Sequence, residues 1–308
     1  MIETIDTKRT AKKASFEKLH QSLSETILKR ITVSTHLDKL GFIGMINRTN
    51  TGALTTTIGK APTEKPVVRH IQPIKAIARK LAQEREGIKP STQLEFLRET
   101  VHIGEGVQLI KETIGPDLKN PAEWMDGLSL LLEAGVPVEK IFFIPTVRDP
   151  IDTLSSWMRM WKWDLENFPF KAFNLSFNKT LEAVQKAESL GILVVPYVHE
   201  FLRDFGSKKI LARLMLACDL PFTLSMVEWD KNEDAYWQGQ IVKYDVPPTE
   251  FIHGVLSKKH GGRGGLIWLP PEIILSNEQE IFVREKIKPA FEIYDFLTKF
   301  SKKQLRIK

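Results

Sequence analysis

The sequence predicts an α/β fold in which helices flank a mostly parallel central sheet. Five short apolar runs of strand length are separated by segments with helical periodicity. This alternation of strands and helices is typical of parallel sheets covered by helices. The apolar runs lie at residues 41–46, 65–73, 106–113, 140–147 and 192–198.

The segments between and around these strands show apolar residues at helical spacing, and several end at glycine or proline. Gly135 follows one such segment, and Pro150 stands at the first turn of another. The predicted helices lie at residues 1–33, 74–86, 93–103, 120–135, 150–163, 175–190, 207–221 and 276–300.

The chain has 308 residues, a length that suits one α/β domain with additions. No internal repeat or low-complexity linker divides it. We therefore predict a single domain over residues 1–308. Residues 1–35 form an N-terminal helical extension of that domain, and residues 276–308 contain its C-terminal helix.

Composition narrows the class of protein without naming a function. The net charge of +6 suits an anionic ligand, but acidic residues interleave with the lysines, so no nucleic-acid partner is expected. The single cysteine, Cys218, excludes an internal disulfide, and the histidines form no HExxH or HxH pair, so no metal is expected. Without a signal-like N-terminus or an apolar run of about 18 residues, we expect a cytoplasmic protein that does not span a membrane.

The carboxyl ends of the strands are where a fold of this class binds its ligand. The first strand is followed by the polar loop NRTNTGAL at residues 47–54. Hydroxyls and backbone N–H groups at the start of a helix favour an anion, although an ordinary capped turn has the same composition. The Walker A spacing GxxxxGK[ST] is absent.

Arg148 directly follows the fourth strand, and Ser156 comes eight residues later. A buried arginine needs a partner, which is either Asp149 or an anionic ligand that matches the guanidinium. The segment VRDPIDTLSSW resembles the 3′-phosphate-binding segment of sulfotransferases that use 3′-phosphoadenosine 5′-phosphosulfate (PAPS). The resemblance implies that Arg148 and Ser156 bind the 3′-phosphate, with Ser155 in place of Ser156 if the register differs by one residue.

The loop after the first strand resembles a second segment of the same family, the PRSGTTLL-like turn that binds the 5′-phosphosulfate. Arg48 takes the place of the basic residue, Thr49 that of the serine and Thr51 that of the first threonine. Asn50 replaces the glycine, and Gly52 replaces the second threonine. The resemblance implies that this whole loop binds the phosphosulfate and that Arg48 neutralises the leaving phosphate.

Two later segments extend the resemblance, which covers most of residues 41–265. The stretch from Gly191 to Pro221 is similar to the family's late strand, acidic turn and following helix, with Glu200 in the acidic place. The segment SKKHGGRGG at residues 257–265 resembles the basic, glycine-rich loop that closes over the nucleotide, and by itself also suits an ordinary surface loop. The residues implied to contact phosphate there are Lys259, Arg263 and Gly264.

Several residues are candidates for the general base, because the histidine that the family uses is missing. The third strand ends in Lys111-Glu112-Thr113, where cytosolic sulfotransferases carry Lys-Thr-His. Lys111 matches the family lysine, and Glu112 is the first choice for accepting the acceptor's proton. An ion pair with Lys111, or with a helix terminus, is the other explanation for Glu112. His70 and Glu64 are the alternative bases, since other branches use a glutamate shortly after the first helix.

The resemblance implies a P-loop-like sulfotransferase fold, PAPS as the co-substrate and no metal. The acceptor would be a hydroxyl of a small molecule such as a sugar, a lipid or a polyketide. A P-loop-type kinase or NTPase is an alternative, which the missing Lys-Ser/Thr pair disfavours. A sulfotransferase-like protein that binds without catalysing is another.

Six aromatic residues follow the arginine-bearing strand, at a spacing that suits either the core or a platform for the acceptor. They are Trp157, Trp161, Trp163, Phe168, Phe170 and Phe173.

Overall fold

The computed structural model describes residues 3–85, 87, 99–228, 265–271 and 273–308. Its strands are β1 (Ile31–Val33), β2 (Leu37–Ile46), β3 (Val68–Ile71), β4 (Val101–Ile103), β5 (Gly106–Ile114), β6 (Ile141–Val147), β7 (Leu193–Val194) and β8 (Tyr197–Val198). Its helices are α1 (Glu3–Leu28), α2 (Thr51–Ile58), α3 (Pro73–Arg85), α4 (Gly127–Glu133), α5 (Pro150–Trp161), α6 (Phe170–Ser189), α7 (Phe201–Phe205), α8 (Ser207–Ala217), α9 (Asn277–Lys286) and α10 (Lys288–Gln304).

The main sheet confirms the predicted α/β architecture. Its strand order is β3-β5-β2-β6-β7, with β8 also paired to β6, and all these pairings are parallel. Strands β3 and β5 lie on one side of β2, and β6, the next strand of this sheet along the chain, lies on the other side. The switch point in strand order therefore lies between β2 and β6, and a ligand is expected outside their carboxyl ends.

The central strands are buried along almost their whole length, which explains why their sequences are largely continuous apolar runs. Helices cover the sheet: α3 packs on β5, while α6 packs on β2 and β6. The C-terminal part of α1 belongs to the same core, since Leu23 and Ile27 are fully buried. Among the described residues, no helix is long and apolar enough to cross a membrane.

A second, two-stranded parallel sheet corrects two helix predictions. The helix predicted over residues 1–33 ends at Leu28, and Ile31–Val33 pairs with Val101–Ile103 as β1 and β4. The latter strand falls within the helix predicted over residues 93–103, of which 93–98 lie outside the described residues. Valine and isoleucine, which dominate both short strands, restrict χ1 and favour extended backbone, so the tertiary pairing prevails over the helical spacing.

Three other elements are divided where the sequence predicted one. The tail forms two helices that break at Ile287, because Pro289 lacks an N–H group and is accommodated only in the first turn of a new helix. The fifth strand is split around Pro196 into β7 and β8. The segment 120–135 forms a 3₁₀ turn and then α4, whose first turn is capped by the Asp126 carboxylate at 3.0 Å from the Ser129 nitrogen.

Candidate functional site

The loop after β2 brings three buried hydroxyls together. Thr49 Oγ1 lies 2.6 Å from Thr146 Oγ1, and Thr51 Oγ1 lies 3.0 Å from the same atom. Thr49 and Thr51 are themselves 3.3 Å apart. Thr146 is not among the residues predicted from sequence. Its signal is a single hydroxyl in the otherwise apolar strand IFFIPTV, one residue before the strand ends.

The backbone of this loop contains two residues in the left-handed conformation. Asn50 has φ 65° and ψ 19°, the left-handed conformation, which asparagine tolerates better than most residues other than glycine. Arg48 is also left-handed, with φ 69°. Because α2 begins at Thr51, its first N–H groups and the positive end of its dipole lie at the loop.

Helix α5 lies directly against the loop. Arg48 Nε donates to Ser156 Oγ at 3.2 Å, and Trp157 Nε1 donates to the Asn47 carbonyl at 3.0 Å. Ser155 is turned away, since its Oγ donates to the Ile273 carbonyl at 2.9 Å and accepts from the Ile273 nitrogen at 3.1 Å. The structure thus brings Ser156, and not Ser155, to the predicted phosphosulfate loop.

Arg148 stands at the carboxyl end of β6 and is only 8% exposed. Its Nη2 donates to the Leu269 carbonyl at 2.9 Å and lies 3.3 Å from an Asp152 carboxylate oxygen. The expected protein partner, Asp149, instead caps α5 by accepting from the Ile151 nitrogen at 2.8 Å. The buried Nε of Arg148 has no hydrogen-bond partner within the described part of the chain, so it remains a donor that a ligand could use.

The turn after β8 supports this arginine-bearing edge. Glu200 accepts the Asp149 N–H at 3.0 Å and the Tyr294 hydroxyl at 3.0 Å, and burial raises the pKa of its carboxyl. His199, which the sequence analysis did not select, lies 3.3 Å from the Asn50 amide nitrogen through Nδ1. The signal that could have found it is its position directly after a parallel strand, at the ligand-binding edge.

The candidate base Glu112 lies at the end of β5 and is 5% exposed. Its Oε1 accepts the Ile74 N–H at 2.7 Å, so the carboxyl caps α3, as one of the two explanations from sequence anticipated. Burial raises the pKa of Glu112 to about 7. Burial also lowers the pKa of the neighbouring Lys111 to about 8, while the negative charge of Glu112 acts in the opposite direction.

A buried ionic cluster that sequence reasoning missed lies beside Glu112. Lys75 Nζ is 2.6 Å from a Glu123 carboxylate oxygen and donates to the Gly115 carbonyl at 2.8 Å. Arg79 Nε donates to the other Glu123 oxygen at 2.6 Å. Burial lowers the pKa of Lys75 to about 8. The Asn47 amide also donates to the Gly115 carbonyl, at 3.1 Å, and this contact links the cluster to the loop after β2.

The remaining candidates are placed apart from the loop or not described. His70 is buried within β3, with its Nε2 3.0 Å from the side-chain oxygen of Gln108. Glu64 is exposed in the connection that leads into β3, at the amino-terminal edge of the sheet, so the structure does not bring it to Arg48. The three residues predicted to close over the nucleotide lie outside the described residues. They are Lys259, Arg263 and Gly264.

The aromatic residues within and after α5 divide into two groups. Trp157, Phe168 and Phe173 are buried in the core. Trp161 and Trp163 are half-buried and stack on each other, with ring centroids 5.3 Å apart, and Phe170 is also half-buried. The structure therefore assigns the first group to the core, and the second group packs against the outside of that core.

Comparison with known proteins leaves the function to be argued from this site. No protein-family model matches the chain, and a search of curated proteins finds no significant match. In the described ranges, no group of three or more His, Cys, Asp or Glu side chains could hold a metal ion. Fold and site together define an α/β protein with hydroxyls and two arginines at the switch point of a parallel sheet.

Proposed function

We propose that this chain is a PAPS-dependent sulfotransferase with a P-loop-like sulfotransferase fold, which transfers a sulfuryl group to a hydroxyl of a small-molecule, sugar or lipid acceptor. The observation that carries the proposal is the hydrogen bond between Arg48 and Ser156, two residues 108 positions apart. It joins, at the switch point of the sheet, the two segments that resemble the family's 5′- and 3′-phosphate-binding segments.

The loop after β2 would hold the 5′-phosphosulfate. The start of α2 offers backbone N–H groups, Thr51 offers a hydroxyl, and Arg48 offers a cation, while the Thr49 hydroxyl donates to the Ile46 carbonyl at 2.9 Å and so stabilises the loop itself. These groups suit a tetrahedral anion, and a positive charge fixed there stabilises the phosphate as the sulfuryl group leaves. Arg48 is therefore the residue that we assign to charge neutralisation in the transition state.

The end of β6 would hold the 3′-phosphate. Arg148 is buried, and its Nε is an unsatisfied donor within the described residues. A phosphate oxygen accepting from Nε would remove the cost of leaving that donor buried without a partner. Ser156, on the helix that follows Arg148, contacts the loop directly through its hydrogen bond with Arg48.

In the transfer step, the S–O bond to the 5′-phosphate breaks and a new S–O bond forms to the acceptor oxygen. The acceptor hydroxyl loses its proton to a general base, for which Glu112 remains our first choice. A pKa of about 7 leaves this carboxyl roughly half ionised at neutral pH, which suits a general base. Because a carboxylate has more lone pairs than its bonds to the Ile74 and Lys75 backbone N–H groups use, capping α3 does not exhaust its capacity to accept a proton.

A second candidate is a protein that binds the nucleotide without transferring the sulfuryl group. The observation that favours it is the burial of Glu112, which is 5% exposed and already bonded to the start of α3. The two candidates share the nucleotide site and differ only in the chemistry at the end of β5.

Isothermal calorimetry with adenosine 3′,5′-bisphosphate and adenosine 5′-phosphate tests the proposal. We expect the bisphosphate to bind at least about tenfold more tightly, because only it engages Arg148. Equal affinities would remove the central claim, and preferential binding of ATP would favour the kinase or NTPase alternative. If the bisphosphate binds tightly, PAPS hydrolysis and a panel of phenol and sugar acceptors distinguish a transferase from a non-catalytic protein.

A further inference from the structure

Residues 265–271 are here called the strap, and one of them, Leu269, contacts side chains that follow the carboxyl ends of β6 and β8. The backbone of Leu269 contacts two side chains. Its carbonyl accepts from Arg148 Nη2 at 2.9 Å, and its nitrogen lies 3.5 Å from His199 Nε2. Next to it, the Arg203 guanidinium lies 5.5 Å from the ring centroid of Trp268. One strap residue therefore contacts side chains that follow two neighbouring strands.

His199 joins this strap to the loop after β2. Its ring is 1% exposed, and its backbone nitrogen donates to the Val147 carbonyl at 3.0 Å, directly before Arg148. The two ring nitrogens face opposite partners, the Asn50 amide at 3.3 Å and the Leu269 nitrogen at 3.5 Å. The ring thus spans from the predicted 5′-phosphosulfate loop to the strap.

The chemistry of a neutral imidazole limits how this bridge is made. One ring nitrogen carries a proton and donates, while the other accepts. The Asn50 amide nitrogen and the Leu269 nitrogen are both donors, so a neutral ring cannot accept from both as they stand. When Nε2 accepts the Leu269 N–H, Nδ1 carries the proton, and the Asn50 amide has to turn its oxygen toward Nδ1. The amide of asparagine can rotate to do so, and the orientation of the Asn50 side chain is thereby tied to that of the strap.

We propose that His199 is a positioning residue that couples the two phosphate subsites of the nucleotide site, and this inference rests on the proposed function. The contacts run from Asn50 through His199 and Leu269 to Arg148. A phosphate held by Arg148 orders Leu269, which orders the His199 ring and, through it, the loop at Asn50. The second phosphate then binds to a loop that is already ordered, and this gives positive cooperativity within one ligand.

Calorimetry with four ligands measures this coupling. They are adenosine, adenosine 5′-phosphate, adenosine 3′-phosphate and adenosine 3′,5′-bisphosphate. The coupling factor compares two gains in affinity. It is the gain from adding a 5′-phosphate to adenosine 3′-phosphate, divided by the gain from adding a 5′-phosphate to adenosine. We expect His199→Phe, which keeps an aromatic ring and removes both ring nitrogens, to lower this factor about five- to tenfold. The affinity for each monophosphate should change by less than about twofold.

Two further variants serve as controls. His199→Gln keeps a donor and an acceptor and should restore part of the coupling factor. His102→Phe changes an exposed histidine that contacts Thr32 in the small sheet, and should leave all four affinities as in the wild type.

An unchanged coupling factor in His199→Phe, or an equal loss of affinity for all four ligands, would overturn the inference. A different result would contradict the proposed function: wild-type protein that does not bind adenosine 3′,5′-bisphosphate more tightly than the monophosphates. If His199→Phe does not fold, Asn50→Gly breaks the same bridge from its other end while allowing the left-handed backbone at that position. Asn50→Gly should lower the coupling factor to the same extent, and an unaltered factor in that variant would equally contradict the proposal.

Discussion

Replacing Glu112 by glutamine tests both the environment and the role of this carboxyl. In the wild-type protein, Glu112 Oε1 accepts the Ile74 N–H at 2.7 Å. Glutamine keeps an oxygen that can accept this N–H but has no ionisable group. In the wild-type protein, burial raises the pKa of Glu112 from 4.5 to about 7. Because the pKa is raised on folding, the stabilisation from the protonated carboxyl is fully present below about pH 4.5 and is lost as the pH rises through about 7.

The size of the effect follows from those two pKa values. Between pH 5 and pH 8, this group alone should reduce the wild-type free energy of unfolding by roughly 2–3 kcal/mol. The glutamine variant lacks this dependence, so it should gain stability relative to the wild type by that amount over the same interval. Urea denaturation at several pH values measures the difference, and Glu64→Gln, at an exposed position, should follow the wild type.

The outcome decides whether Glu112 has the properties of a base. A difference in unfolding free energy that stays constant from pH 5 to pH 8 would show that the pKa is not raised, and the argument for Glu112 would lose its physical basis. If the reasoning holds, Glu112→Gln should also lower kcat at least about 10²-fold with little change in nucleotide affinity. A fully active Glu112→Gln together with an inactive His70→Ala would place the base on β3.

Three other predictions follow from the site. Arg148→Ala should weaken binding of adenosine 3′,5′-bisphosphate by about 2–3 kcal/mol in calorimetry while the fold survives, and wild-type affinity in a destabilised variant would indicate a structural role instead. Ser156→Ala should weaken nucleotide binding by about 1 kcal/mol, because Ser156 lies at the proposed phosphate site. Ser155→Ala should instead lower the free energy of unfolding by about 1 kcal/mol. The reverse pattern would place the phosphate on Ser155. Lys75→Met leaves the Glu123 carboxylate buried without its lysine and should cost about 3 kcal/mol in urea denaturation, so a loss below about 1 kcal/mol would contradict the buried pair.

Two elements were assigned wrongly from sequence, because the local apolar pattern does not specify their secondary structure. Residues 101–103 carry two branched apolar side chains around a histidine, which suits a helix face or a short strand, and only pairing with Ile31–Val33 selects the strand. In the tail, apolar spacing continues through Ile287, so the pattern predicts one helix. The break comes from Pro289, a signal that was present in the sequence and was outweighed by the long periodicity.

The two arginines of the site were placed at the ligand edge without any knowledge of tertiary contacts. Arg48 and Arg148 each follow an apolar run of strand length, and the carboxyl ends of parallel strands share one edge. The position at a strand end selected Arg148, whereas Arg48 was selected through the resemblance of its loop to the phosphosulfate-binding turn. Neither signal selected Thr146 or His199, because nothing in their neighbouring residues shows that Thr146 meets the hydroxyls of the loop or that the His199 ring reaches Asn50.

Local composition thus determined the order of strands and helices, the parallel sheet and the polar strand ends, because each of these depends on residues close together in the chain. The choice of Ser156 over Ser155, the engagement of Glu112 at the start of α3 and the contact of Leu269 with Arg148 were decided only in the tertiary structure. These contacts depend on how α5 is rotated against the loop, on the strand order, and on which distant segment packs over the edge. Such contacts join residues up to about 120 positions apart, and no periodicity within either segment specifies them.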